Sequence, residues 1–549
     1  MEKVIIYQIF TRLYGNRNVT RKADGTIADN GCGKMADLTQ KELKNIAAMG
    51  VTHVWFTGII RHATQTDYSS YGIPKQHPAI VKGKAGSPYA ITDYYDVDPD
   101  LAVDVKQRMR EFEELVKRTH EAGLKVIIDF VPNHVARQYK SVRKPPRVKD
   151  LGETDNPALG FDPQNNFYYC PEQRFSPYFD LYHGETEPYL EMPAKATGND
   201  HFDCAPSKND WYETVKLNYG VDYYAGRIGY FRPMPDTWEK MTAILKFWAR
   251  KGVDGFRCDM AEMVPAEFWA YATAEVRKSY KHIVFIGEVY NPYEYRHYLA
   301  SGFDWLYDKV GMYDTMRAVI CHHAPASAIS RCWQQTDDIR DHMLYFLENH
   351  DEQRIASDFF AADGQKGVPA MIASVLMQQN PFMLYAGQEY GERGMDSEGF
   401  SGNDGRTTIF DYWSIDTLCR AANAQLTEHE QRIFDLYKRT ILIARKEKAV
   451  SEGVFFDLMY VNGHLERQYA FLRRCDNDLL LVVVNFDDQD VAVDVHIPAH
   501  AFDYLKMKEK MVVATDLLTK EKLAMAIKSE RSIRMGIEAR GGRVWKIKI

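Results

Sequence analysis

Three stretches of this sequence end an apolar run on a carboxylate: Gly255-Phe256-Arg257-Cys258-Asp259, Phe285-Ile286-Gly287-Glu288 and Phe346-Leu347-Glu348-Asn349-His350-Asp351. A fourth, Ile127-Ile128-Asp129-Phe130-Val131-Pro132-Asn133-His134, ends on polar groups of other kinds. If these runs are strands, their period of two puts Arg257 and Asp259 on the same side of the sheet. A guanidinium there favours the ionised carboxyl and should lower its pKa, which suits a nucleophile near neutral pH. Glu288 follows an apolar strand, where an apolar pocket or a neighbouring negative charge would keep it a proton donor. One ionised and one protonated carboxyl, ~5–5.5 Å apart, are what retaining glycoside hydrolysis uses. Each piece has a plainer reading when taken singly. A strand-end carboxylate commonly caps a helix or ties a loop, Arg257 and Asp259 could form a structural ion pair, and His134 and His350 could be satisfied loop histidines. Four such constellations in order on successive strand ends favour the chemical reading.

The elements that would carry them alternate along the first 440 or so residues as short apolar runs and longer amphipathic stretches, the pattern of parallel βα units. The candidate strands are 4–10, 53–60, 125–131, 255–259, 283–288, 303–307, 343–348 and 381–385, with helical patterns such as 104–122, 235–251 and 265–280 between them. Eight strand–helix units predict an α/β fold closed as a (β/α)₈ barrel, whose reactive groups sit at the C-terminal ends of the strands. The stretch 135–233 lacks long helical periodicity and is rich in Pro, Asn, Asp, Gly and aromatics. A structureless loop of that length is unusual, so it reads as a subdomain inserted after the third strand, overhanging the reactive face. The barrel then comprises 1–134 and 234–445. In 446–549 short strands separated by turn residues predict a C-terminal β-sandwich.

Over 549 residues the net charge is −7, and there is no basic excess of the kind that nucleic-acid binding needs. The longest apolar runs fall far short of a membrane span, and the N-terminus lacks the pattern of a signal peptide. Eight scattered cysteines with no C-x-x-C pair suit free thiols in a reducing compartment, so a cytoplasmic location is expected. The 34 Tyr, 27 Phe and 9 Trp supply core, and also flat rings able to stack on sugars.

With these motifs in order, the chain resembles the α-amylase superfamily of retaining glycoside hydrolases over nearly its whole length. The 129–134 segment looks like the first family motif, 255–259 the second, Gly287-Glu288 the third and Asn349-His350-Asp351 the fourth. The resemblance implies Asp259 as nucleophile, Glu288 as acid/base and Asp351 as the carboxylate that grips sugar hydroxyls and supports the transition state. It also implies sugar contacts for Arg257, His134 and His350, and places Tyr89, four residues before Asp93, as the ring that stacks under the reacting sugar. The implied substrates are α-1,4-linked glucans or maltooligosaccharides, with transglycosylation or another α-linkage as alternatives. A non-catalytic glycan-binding or transporter-associated protein is a remote alternative, since transporter-associated relatives have lost the carboxylates and carry a transmembrane helix, whereas here the carboxylates are kept and no such helix is evident.

Two positions depart from the family pattern. Typical endo-acting members carry Lys-His where Glu262-Met263 stand, so a cationic contact to the leaving-side sugar is lost; Glu262 either caps the next helix or meets substrate. Val215-Lys216-Leu217-Asn218 has a lysine where they place a calcium-binding aspartate. An ammonium supplies no oxygen ligand and repels a cation, so no cofactor is expected and structural calcium is disfavoured, although Asn133 falls at another family calcium position. Lys216 is instead grouped with the substrate-binding residues. The 396–411 segment is taken as a rim loop, with substrate contact as the alternative, and Gly387-Gln388-Glu389 as a structural turn.

Overall fold

The computed structural model describes residues 2–181 and 187–549. Among them, eight parallel strands close into the expected barrel: β1 (Ile5–Phe10), β2 (His53–Thr57), β3 (Lys125–Phe130), β4 (Gly255–Cys258), β5 (Val284–Gly287), β6 (Trp305–Tyr307), β7 (Met343–Phe346) and β8 (Phe382–Tyr385). Each pairs with its sequence neighbour, and β8 returns to β1 through Ile5↔Phe382 to Gln8↔Tyr385. The period-two pattern accounts for both faces. Ile6, Trp55, Ile127, Ile286, Tyr307, Leu344, Phe346 and Met383 form a buried cluster inside the barrel. Their strand neighbours Tyr7, Val54, Ile128, Phe256 and Phe285 belong to the larger core shared with the surrounding elements. Five strands, β2, β3, β4, β5 and β7, are shorter at their C-terminal ends than the apolar runs suggested. β2 stops before Gly58, whose φ of +87° turns the chain, and β7 stops at Phe346, so Glu348 to Asp351 lie in the following turn.

The helices follow the periodicity closely: 3₁₀ Val105–Gln107 then Arg108–Glu121, Asp236–Arg250 and Ala266–Arg277. Between β3 and β4 the described residues form only short antiparallel pairs, His134–Ala136 with Thr214–Lys216, Tyr169–Cys170 with Ala194–Lys195, and Val221–Asp222 with Ile228–Gly229. Ile80, Cys170, Phe175, Ala194 and Tyr212 give this region a small core of its own.

After the helix Glu428–Lys446 come β9 (Val454–Asp457), β10 (Gln468–Cys475), β11 (Asp478–Asn485), β12 (Val491–Ile497), β13 (Lys510–Asp516), β14 (Lys522–Ile527), β15 (Arg531–Ile537) and β16 (Gly542–Lys548). Six make an antiparallel sheet in the order β9-β10-β11-β16-β13-β14, and β12 with β15 forms a two-stranded ribbon. The predicted sandwich is therefore one large sheet with a narrow second layer, whose Val493, Val495, Ile533 and Met535 are buried. β9, β13, β14 and β15 are not marked by the sequence: β9 is only four residues long, the apolar run of β13 is partly exposed at Met511 and Val513, β14 is short, and Arg534 breaks the run of β15. The fully buried helix Val368–Leu376 packs against both Glu428–Lys446 and β11, joining barrel to sheet.

One buried ion pair fixes the turn after β7. Arg354 Nη1 meets Glu348 Oε2 at 2.9 Å, its Nη2 donates to Ala386 O at 3.0 Å and its Nε to Thr407 Oγ1 at 2.9 Å. Both ion-pair partners are inaccessible to solvent. Removing one partner of such a pair strands the other charge, so Arg354→Met should cost ~3–5 kcal/mol of stability in denaturant unfolding. A loss below ~1 kcal/mol would show that Glu348 is accommodated without it.

Candidate active site

The strand register sets the geometry of the two leading carboxylates. Cys258 of β4 is paired with Gly287 of β5, and Asp259 and Glu288 each follow by one residue. Backbone N–H groups extend the ladder: Asp259 N donates to Phe130 O at 2.9 Å and Glu288 N to Cys258 O at 3.2 Å. Asp259 and Glu288 therefore leave adjacent strand ends side by side, and neighbouring strands are ~4.8 Å apart. Arg257, two residues before Asp259, sits level with Asp129 of β3 and Ile286 of β5.

Arg257 is fully buried and joins the cluster together. Its Nη1 lies 2.7 Å from Asp259 Oδ1 and 3.4 Å from Asp129 Oδ1, and its Nη2 2.8 Å from Glu288 Oε2 and 3.9 Å from Asp351 Oδ2. The rings of Trp55, Tyr89 and Tyr307 surround the guanidinium with centroids 5.2, 5.4 and 5.5 Å away. Glu288 Oε2 also accepts Met260 N–H at 2.7 Å, while the Tyr290 hydroxyl donates to Oε1. His350 links Asp351 to the aromatic wall: its Nε2 lies 3.0 Å from Asp351 Oδ2 and 2.5 Å from the Tyr89 hydroxyl, and Gln8 Nε2 is 2.8 Å from its Nδ1. The Tyr89 and His350 rings stack 5.2 Å apart.

The electrostatics differ from the expectation that Arg257 would depress Asp259. Burial pushes Asp259 well above the usual carboxylate range; Arg257 opposes this, but Glu288, Asp351 and Asp129 add to it. One guanidinium faces four carboxyl groups and cannot hold all of them ionised. Burial likewise raises Asp129. For Asp351 burial acts upward too, but His350 and Arg257 outweigh it and hold that carboxyl below its ordinary value. Burial, with Lys216 and Lys82 nearby, lowers His134 to about 3, so its ring is neutral at ordinary pH.

Asp259, Glu288, Asp351, Tyr89 and His134 all line a cavity of about 370 Å³, within the usual range for small-molecule sites. Arg257 and His350 lie directly behind that wall. Lys216 is not brought to the cavity. Its ammonium bonds Asn133 Oδ1, lies 2.7 Å from Asp200 Oδ1 and donates to Met263 O at 3.2 Å, joining three loops. Lys82, Trp211, Glu213, Met260, Tyr290, Ile409 and Phe410 complete much of the lining and were not singled out in the sequence. Tyr290, two residues beyond Glu288, was within reach of a period-two argument; the others come from loops whose contacts are long-range. The 396–411 segment is more than rim, because Ile409 and Phe410 form cavity wall. Glu262 is neither a helix cap nor turned to the cavity: its Oε2 accepts N–H from Tyr290 and Asn291 at 2.9 and 3.0 Å, pinning the loop after β5.

The residues around Lys216 do not suit calcium. Asn133 Oδ1, Asp200 Oδ1 and the Met263 carbonyl already converge on an ammonium, whereas calcium needs six to eight oxygen ligands and an uncharged space. Among the described residues no group of three or more His, Cys, Asp or Glu is arranged to hold a metal ion.

The α-amylase catalytic-domain family model matches residues 8–433. Alpha-amylase 3 of Dictyoglomus thermophilum is 25% identical over 433 residues, covering 74% of this chain and 73% of that protein. A cyclomaltodextrinase from a Bacillus species is 24% identical over 513 residues, covering 89% and 73%. Among solved structures, the maltogenic α-amylase AmyB from Thermotoga neapolitana superposes with a TM-score of 0.64 at 21% identity, covering 100% of this chain and 99% of that one.

The three-oxygen cage makes a stability prediction. Lys216→Met removes the ammonium on which these oxygens converge, leaving Asp200 only the longer contact of Arg227 at 3.9 Å, and should cost ~2–4 kcal/mol, read as a lower Tm. Neither a chelator nor added calcium should move the Tm of the unaltered protein; a chelator-dependent fall would contradict the cage.

Proposed function

We propose that this chain, which belongs to the α-amylase family, cleaves α-1,4-glucosidic bonds of α-glucans or maltooligosaccharides with retention of configuration. It is a glycoside hydrolase, and the observation carrying the finer reading is the side-by-side exit of Asp259 and Glu288 from adjacent strands. Neighbouring strand ends ~4.8 Å apart suit the ~5–5.5 Å carboxyl separation of retaining enzymes better than the ~6.5–9.5 Å that makes room for the water of an inverting mechanism. Asp259 attacks the anomeric carbon as the bond to the departing sugar breaks, and Glu288 gives its proton to the leaving oxygen. Glu288 then takes a proton from water, whose oxygen attacks the same carbon and frees Asp259. Asp351, held by His350, faces the sugar hydroxyls. As positive charge develops on the sugar, it stabilises the ionised form of Asp259 when attack requires it.

No step of this scheme needs a metal. The eight cysteines are free thiols, which supports a reducing compartment, and no helix among the described residues is long and apolar enough to cross a membrane. Transglycosylation is a second reading, favoured by the part-apolar wall of Met260, Tyr290, Ile409 and Phe410, which suits a sugar acceptor. Longer oligosaccharides formed from pure maltotriose would establish transfer; glucose and maltose alone would exclude it.

Asp259→Asn should lower kcat on maltotriose by ~10⁴-fold or more, the scale of losing a nucleophile. Glu288→Gln should do the same on maltotriose but retain far more activity on α-glucosyl fluoride, whose leaving group needs no proton. Near-normal turnover of maltotriose by either variant would refute the assignment. Asp129→Asn removes a negative neighbour and frees Arg257 for Asp259. Both effects favour the ionised nucleophile, so the acid limb of kcat/KM should move to lower pH by ~0.5–1 unit. An unmoved or upward-shifted limb would show that Asp129 does not set the charge of the pair.

A further inference from the structure

The 396–411 segment after β8 is bolted to the turn that carries Asp351. Arg406 Nε donates to Asp351 O at 2.7 Å, Gln353 Nε2 to Asp404 O at 2.9 Å, Arg354 N to Gly405 O at 2.8 Å and Arg354 Nε to Thr407 Oγ1 at 2.9 Å. Just beyond, Ile409 and Phe410 form cavity wall, and Phe410 O accepts Ala85 N–H and Gly86 N–H at 3.0 and 3.2 Å. Residues 404–410 therefore set both the backbone at Asp351 and part of the wall.

Packed against this stretch is a carboxyl with no charge to balance it. Glu398 is 1% exposed. Its own backbone amide and that of Thr408, at 3.4 Å from Oε1, are the donors that serve it, while Oε2 has no hydrogen-bond partner. The cations on the segments around it are engaged elsewhere: Arg12 with Ala85 O and Gly86 O, Arg21 with Ser414 and Asp416, Lys22 with Asp29, and Arg406 with Asp404.

The charged groups that do face it are acids. Asp396 and Asp411 come from its own segment. Asp24 comes from the connection after β1; its N–H donates to Glu398 O at 3.0 Å. A Cβ on Gly399 would lie 2.7 Å from Asp24 Oδ1 and 2.8 Å from Asp411 Oδ1, so these two carboxyls close around the residue next to Glu398. Burial, with Asp396 and Asp411 adding to it, pushes the Glu398 carboxyl up to about 8. Thr408 links the parts: its N–H meets Glu398, and its hydroxyl lies 2.8 Å from Asp411 Oδ2 and 2.9 Å from Ser401 Oγ. A neutral carboxyl is tolerated in such a place, whereas an uncompensated carboxylate is costly to bury. Solvating it requires the segment to move, and the segment carries the ties to Asp351 and the wall.

We propose that Glu398 is a positioning residue: protonated, it lets the 396–411 segment close against the Asp351 turn, and its ionisation loosens that segment, so that activity falls in alkaline solution. The effect on activity rests on the hydrolytic reading above; the loosening does not.

The test uses α-glucosyl fluoride, whose leaving group needs no proton, so an alkaline loss is not that of Glu288 as acid. A single carboxyl titrating at about 8 is ~10-fold more ionised than neutral at ~pH 9, so kcat/KM of the unaltered protein should fall ~10-fold from ~pH 6.5 to ~pH 9. Glu398→Gln, which cannot ionise and keeps the shape, should hold kcat/KM within ~2-fold over that range. Hydrogen–deuterium exchange, corrected for its intrinsic pH dependence, should rise ~10-fold over the same range in peptides covering 398–410 of the unaltered protein, and not in Glu398→Gln. An alkaline fall of equal size in both proteins overturns the proposal. So does pH-independent exchange over 398–410 in the unaltered protein, a comparison that needs no variant to fold. If the unaltered protein does not hydrolyse α-glucosyl fluoride, the hydrolytic reading fails, and exchange alone decides whether Glu398 holds the segment.

Discussion

A single guanidinium, that of Arg257, sits beneath four carboxyl groups at the mouth of a closed barrel. It is buried completely and contacts Asp259 at 2.7 Å and Glu288 at 2.8 Å, with Asp129 and Asp351 at longer range. Its rigid fork places the two nearest carboxyls against neighbouring nitrogens. Without it, four acidic groups in one pocket would repel each other or take up protons. With it, the one positive charge does not offset burial and the neighbouring acids at Asp259, whose carboxyl stays above the usual range.

The surrounding structure serves to keep that cluster in place. The barrel brings the ends of β3, β4, β5 and β7 to one face, and the interior Trp55 and Tyr307 close the space beneath Arg257. Longer-range ties then shape the wall: Arg354 joins the turn after β7 to the loops after β8, Glu262 pins the loop after β5, and Lys216 joins the insertion to the ends of β3 and β4. These are charged side chains used as buried fasteners between loops, and none of the three lines the cavity.

The sequence made the barrel legible because the chemistry-bearing residues and the strands share one signal, an apolar run stopping on a polar group. Asp259, Glu288, Asp351, Tyr89 and His134, singled out by strand position and motif, line one cavity. Loop-to-loop contacts were not legible: Phe410 lies 321 residues from Tyr89 in the chain but on the same wall. Lys216 was grouped with substrate because its neighbours carry family motifs, yet its bonding atoms are decided by Asp200, a residue with no local pattern to mark it. The same limitation reversed the expected direction for Asp259, since the Arg257 spacing was visible but the number of competing carboxyls was not.

The account turns on Asp259 forming a covalent bond to sugar. Incubation with a slow-reacting 5-fluoro-α-glucosyl fluoride, followed by protease digestion and mass spectrometry of the labelled peptide, tests this directly. A glycosyl adduct on Asp259 is the predicted result. An adduct on Glu288 or Asp351, or turnover of the reagent with inversion at the anomeric carbon, would contradict it.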